Sequence, residues 1–139
     1  MERHILKKLE AIVGKDHFFT APEELRCYSY DATGREFMPE AVALPGSATE
    51  IAAIRALANQ HRFPVVPRGA GSGMTGGSLP VQGGLVLGTT RLNQILEIDP
   101  ANMIAVVEPG VVTGDLQAAL KPYNLMYPPD PASLKFCTI

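Results

Sequence analysis

Seven of the thirteen glycines in this 139-residue chain fall between Gly69 and Gly84, directly after the apolar run Pro64-Val65-Val66-Pro67. Glycine loses the most backbone freedom on folding and packs nothing, so this stretch cannot be the interior of a helix, a strand or a core. Such a cluster can instead bring several backbone N–H groups close to one anion, and concave arrays of that kind hold phosphates. Arg68 adds a fixed positive charge at the entrance. Ser72, Thr75 and Ser78 add short hydroxyl donors suited to phosphate oxygens. Read from the loop alone, Arg68 pairs either with phosphate or with a local carboxylate.

The flanking segments read as alternating helices and strands. Ile5, Leu6, Leu9, Ile12 and Val13 recur at helical spacing over residues 2–13, and Gly14 is a stop. Thr20-Ala21-Pro22-Glu23 reads as a capping box opening a short helix through about Tyr28. Asp31 to Glu40 reads as a loop, and Ala41 to Pro45 as a short buried strand. Ser47-Ala48-Thr49-Glu50 is a second capping box, before a helix with Ile51, Ile54, Leu57 and Ala58 on one face. Losing the Ser47 cap is expected to cost about 1 kcal/mol. Phe63 to Pro67 is the next strand, which makes residues 41–67 a strand–helix–strand crossover unit.

After the glycines, Leu85-Val86-Leu87 reads as a strand and Asn93-Gln94-Ile95 as a turn into another edge. Met103 to Val107 is the most β-like run, closed by Glu108-Pro109-Gly110. Thr113-Gly114-Asp115 opens a helix carrying Leu116, Ala119 and Leu120. From Tyr123 to Ile139, Pro128, Pro129 and Pro131 forbid regular structure.

Gly71-Ser72-Gly73-Met74-Thr75-Gly76 matches the dinucleotide fingerprint Gly-x-Gly-x-x-Gly, which raises a Rossmann-type NAD-binding module as an alternative. That mechanism needs a helix to open at the third glycine. Gly77-Ser78-Leu79-Pro80-Val81-Gln82-Gly83-Gly84 follows instead, which disfavours a helix. Glu97 and Asp99 lie near the distance of a ribose-binding acid. No Gly-Lys-Ser/Thr occurs, which excludes a P-loop. The better description is an extended loop wrapping an anion without a Rossmann helix.

Composition narrows the partners. A net charge of -2 leaves no basic surplus for a nucleic-acid backbone, and Trp is absent. Cys27 and Cys137 form no Cys-x-x-Cys pair and read as reduced thiols. His4, His17 and His61 lack ligand spacing and read as surface or satisfied residues, so no metal site is expected. No apolar run approaches the ~18 residues of a membrane span. A cytoplasmic location, peripheral to a membrane at most, is the expectation.

In sequence, Pro67-Arg68-Gly69-Ala70-Gly71-Ser72-Gly73 followed by Gly76-Gly77 resembles the pyrophosphate loop of the FAD-linked oxidases. These are vanillyl-alcohol-oxidase-like flavoproteins with a PCMH-type FAD-binding domain. The pattern is most similar to the branch of glycolate oxidase catalytic subunits and D-lactate dehydrogenases. Tyr28-Ser29-Tyr30-Asp31, Leu92 to Asp99, Val107 to Val111 and Tyr127 to Ser133 resemble further blocks in the same order.

The resemblance implies an α+β fold, with residues 1–40 a helical segment and 41–139 a FAD-binding core incomplete at its C-terminus. It implies that Arg68, Gly69, Ala70, Gly71, Ser72, Gly73, Met74, Gly76, Gly77 and Ser78 wrap the FAD pyrophosphate. Pro129, Asp130 and Ser133 would line the flavin and ribityl part, with Thr138 opening the block that completes that wall. Some relatives attach FAD through a loop histidine; this loop holds neither His nor Cys, so non-covalent FAD is expected. The implied parent reaction is oxidation of a 2-hydroxy acid such as glycolate or D-lactate, with partner subunits or an electron acceptor in the full-length protein. The family's Gly-Gly-Asn, the rest of the flavin domain and a substrate-binding cap domain would follow Ile139. The chain alone is therefore expected to be inactive, as a fragment or a truncated product, and no catalytic residue is assigned within it. A truncated, non-enzymatic fragment that binds no cofactor is the remaining alternative.

Overall fold

A computed structural model describes every residue, 1–139. Helix α1 (Arg3–Val13) buries Ile5, Leu9 and Val13, four residues apart along one face, and ends where the Gly14 N–H donates to the Glu10 carbonyl at 2.8 Å. Strand β1 (Phe18–Phe19) and helix α2 (Pro22–Arg26) follow. The helix α2 begins one residue later than the expected capping box requires. Ala21 occupies the cap and makes no side-chain bond, so Thr20 caps nothing. Pro22 thereby sits at the first helical position, where its fixed φ fits and its missing N–H is not needed.

Strand β2 (Ala41–Ala43) is completely buried, and helix α3 (Ala48–His61) follows it. The Ser47 hydroxyl accepts the Glu50 N–H at 3.2 Å, so Ser47→Ala should lower the unfolding free energy by about 1 kcal/mol in urea melts. The Glu50 carboxylate accepts from the Gly46 N–H at 2.8 Å, one residue before the cap. Beside it, Arg91 donates to the Leu44 carbonyl at 2.8 Å and lies 3.8 Å from Glu50. His61, read from the sequence as surface or satisfied, instead packs edge-on against His4 with its Nε2 buried and unpartnered.

Strands β3 (Val65–Arg68) and β4 (Leu85–Gly88) complete a four-stranded sheet of order β1-β2-β4-β3. β4 runs parallel to both β2 and β3, while β1 is antiparallel to β2. The crossover unit therefore exists, with β4 returning between its two strands. Ile54 and Leu57 of α3 pack with Leu9 of α1 and Leu85 and Leu87 of β4 in the main core.

A second unit stands on its own core. Strands β5 (Ile95–Asp99) and β6 (Ile104–Val107) form an antiparallel ribbon, followed by helix α4 (Thr113–Leu120). Leu116 and Leu120 pack with Val111 against Ile95, Ile98, Ala105 and Val107. Met103, expected in the strand, takes φ +56 in the turn before it.

Asp99 closes that turn: Oδ1 accepts from the N–H groups of Ala101 and Asn102, and Oδ2 from the Asn102 amide at 2.6 Å. These bonds, the Asn102 side chain foremost, hold the Asp99 carboxyl below its ordinary 3.8. A depressed carboxyl stabilises the fold above its unfolded pKa and loses that contribution as pH falls through the folded value. Thermal unfolding of Asp99→Asn should accordingly depend less on pH below 3.8 than that of the parent.

Beyond Tyr123 the chain forms only turns and one bridge, Val112 with Thr138. This tail folds back onto the start of α4. The Thr113 N–H donates to the Cys137 carbonyl at 2.9 Å, the Gly114 N–H to Leu134 at 2.9 Å, and the Ile139 N–H to Val111 at 3.1 Å. Cys137 is buried there and Cys27 is exposed; both are free thiols.

Candidate functional site

The glycine loop leaves the end of β3 and returns to β4 without forming a helix or strand. No helix opens at Gly76, so the geometry required of a Rossmann module is absent. Asp99, considered as a ribose-binding acid, is occupied by its own turn.

From Gly69 to Ser78 no backbone N–H donates to a backbone carbonyl, and only that of Gly76 faces a carboxylate, Asp31. None of these ten residues is buried, so the N–H groups stand open to solvent or to a ligand. They surround a hollow of about 250 Å³ lined by Gly69 to Gly73, Thr75, Gly77, Ser78 and Thr138. No carboxylate lines it. At Gly73 a Cβ would meet no neighbour within 4 Å. At Gly69 it would land on the Thr138 hydroxyl, and at Gly71 on the Arg68 guanidinium. The loop is thus open on its inner side and seated on arginine beneath.

Arg68 is not at the mouth of the loop. It is 6 % exposed, because as the last residue of β3 its side chain enters the protein under the loop. Its Nη1 donates to the Ser78 hydroxyl at 3.5 Å, and its guanidinium lies 6.0 Å from the centre of the Tyr28 ring. Burial pushes the guanidinium below its ordinary pKa, and Tyr30, Asp31 and Tyr28 push it back up. Arginine keeps its charge regardless, so the hollow has a cation below it.

The other site residues named from the sequence divide. Met74 is 79 % exposed and, with Ser133, borders a larger adjoining cavity of about 660 Å³. Gly76 lies in the loop at φ +76, outside the residues lining the hollow. Asp130 faces a separate cavity beside Gln117 and Lys121. The Pro129 carbonyl lies 3.5 Å from the Gln117 amide nitrogen. Tyr30, Asp31 and Ala32 join Ala70 and Gly71 in the larger cavity, and the Ala32 N–H donates to the Gly73 carbonyl at 3.2 Å. The sequence carried Tyr30 and Asp31 only within a block with no role, and Ala32 not at all; their contact with the loop spans some forty positions and leaves no local signal.

Free N–H donors, a buried cation and an acid-free hollow suit a phosphate-bearing cofactor. The sequence matches the FAD binding domain family over residues 39–139, and the chain belongs to that family. The cofactor of the family is FAD. Over 138 residues the chain is 43% identical to the glycolate oxidase subunit GlcD of Bacillus subtilis, covering 99% of this chain and 29% of that protein. Over 101 residues it is 37% identical to a D-lactate dehydrogenase of Anaerostipes hadrus, covering 73% of this chain and 21% of the relative. The solved structure of p-cresol methylhydroxylase with substrate bound superposes with a TM-score of 0.77 at 26% identity, over 88% of this chain and 25% of that one. The fold is therefore the PCMH-type α+β FAD-binding domain, and the chain spans less than a third of the length of these relatives. No helix is long and apolar enough to cross a membrane.

Proposed function

We propose that this chain is the FAD-holding portion of a flavin-dependent oxidoreductase that oxidises a 2-hydroxy acid of the glycolate or D-lactate type. The observation that carries the reading is the run of N–H groups from Gly69 to Ser78, paired with no backbone carbonyl, around an acid-free hollow. In this reading those N–H groups and the Ser72 and Ser78 hydroxyls take the pyrophosphate oxygens. Arg68 supplies charge from beneath, and Thr138 closes the facing wall. Ser133 contributes from the adjoining cavity, while Pro129 and Asp130 enter through the resemblance alone. FAD, when bound, supplies the acceptor for the substrate hydride. With no His or Cys between Gly69 and Gly84, the loop holds it without a covalent bond. The division near residue 40, a helical segment before the FAD-binding core, belongs to the same reading. The relative named as a glycolate oxidase subunit supports partner subunits or a separate electron acceptor for the complete protein.

Titration with FAD, read by flavin fluorescence and thermal shift, tests the cofactor assignment. Ligand at 100 times its dissociation constant should stabilise the folded site by about 2.7 kcal/mol. A chain extended to the length of its relatives that leaves FAD free would overturn it. In that longer chain, bleaching of the flavin absorbance by D-lactate or glycolate supports the substrate class, and unchanged absorbance with both excludes it.

A further inference from the structure

Asp31 is the one buried carboxylate near the loop, and no role has been assigned to it. It is 6 % exposed, with Arg68 exposed to the same degree. One oxygen is fully used: Oδ1 accepts from the Thr33 N–H at 2.9 Å and the Thr33 hydroxyl at 2.6 Å. Oδ2 is buried and has no hydrogen-bond partner. Arg68, with five N–H donors to satisfy, makes a single side-chain bond, the long one to Ser78. Each charge favours the ionised form of the other, although they form no ion pair within 4.0 Å. The Gly76 N–H faces the same carboxylate and helps to hold it ionised. Backbone ties Asp31 to the loop as well, through the Ala32 N–H on the Gly73 carbonyl.

A buried charge without a partner is costly. Two opposite and under-satisfied charges beneath one loop lower that cost for each other. They also fix where the loop above them can rest, because Gly71 lies on the guanidinium. We infer that Asp31 is a positioning residue for the cofactor loop: its buried carboxylate, anchored by Thr33, holds Arg68 and the Gly73–Gly76 backbone in the arrangement that receives the pyrophosphate. This rests on the reading of the loop as an FAD cradle.

Opposite signs are possible for the effect, which makes the test decisive. A carboxylate that merely subtracted from the positive potential would weaken anion binding, and Asp31→Asn would then tighten it. A positioning carboxylate gives the reverse, since the Asn NH2 presents a donor to the donors of Arg68 and Gly76.

The experiment measures FAD affinity by fluorescence for the parent, Asp31→Asn, Arg68→Met and the double variant, with amide hydrogen exchange of each chain without FAD. The expected result is about tenfold weaker binding for Asp31→Asn and no further loss when it is added to Arg68→Met, as coupled residues behave. Faster exchange at Ala32, whose N–H is bonded to the Gly73 carbonyl, with Leu85–Leu87 unchanged is expected in the same variant. Tighter binding, or an equal loss in both backgrounds, would overturn the inference. Should the parent, extended to the length of its relatives, bind no FAD, the cradle reading fails by itself. The exchange data then decide this inference alone, with unchanged exchange at Ala32 overturning it. Should Asp31→Asn not fold, Thr33→Val, which removes the hydroxyl bond to Oδ1 but keeps the backbone N–H bond and the charge, takes its place with the same direction of effect.

Discussion

Gly71→Ala is expected to weaken FAD binding and lower the stability of the empty chain, whereas Gly73→Ala should weaken binding alone. Gly71 has φ +71, a conformation that costs a side-chain-bearing residue about 1–3 kcal/mol. Its added methyl would also strike the Arg68 guanidinium, which is buried and cannot swing into solvent. The loop must shift, and the N–H groups shift with it. A loss of about tenfold or more in affinity is the result, at about 1.4 kcal/mol per factor of ten. At Gly73 the empty protein has room, so stability should stay within about 0.5 kcal/mol of the parent. Gly73 lines the hollow, so in the proposed reading the methyl narrows the space for the anion, and about tenfold weaker binding is expected there too. Fluorescence titration and urea melts of both variants separate the two effects. Unchanged affinity in both would refute the assignment of the loop.

The largest effect on stability is expected from Leu85→Ala. Leu85 is completely buried at the start of β4, with Ala41 of β2 on one side and Val65 of β3 on the other. It packs in the same cluster as Ile54, Leu9 and Leu87. A central strand paired on both sides cannot collapse into the space a truncated side chain leaves. Removing a leucine side chain from such a site costs about 2–5 kcal/mol, against a total of roughly 5–15 kcal/mol for a domain. The urea midpoint should fall sharply with the slope unchanged. Val81→Ala, at a position 60% exposed, is the control and should stay within about 0.5 kcal/mol. Equal midpoints for the two variants would mean that β4 is not the centre of the core.

Elements whose signal is local were legible in the sequence. The apolar stripe of α1, the Ser47 cap of α3 and the apolar runs of β4 and β6 rest on residues within a turn or a strand of each other. β1 escaped notice because two phenylalanines make no periodicity; its strand character comes only from pairing with Val42 and Ala43. Thr20 failed as a cap because Pro22 fits the first helical position better than the second. The loop was legible as a connection without helix or strand, since its glycines and Pro80 disfavour both. The place of Arg68 was not. Whether the residue ending a strand points up into a loop or down beneath it depends on register with Gly88, which the neighbouring residues do not encode. Tyr28 and Asp31 were hidden for a related reason, since only the folded chain brings them below the glycines.

The hollow is bounded from two sides that belong to different cores. Its glycine wall hangs from β3, in the four-stranded sheet, and Thr138 belongs to the tail pinned to α4 and the β5–β6 ribbon. In the proposed reading, a pyrophosphate resting there would act as a rivet through a seam. Each half would keep its own packing, but their alignment would become a property of the cofactor as much as of the polypeptide.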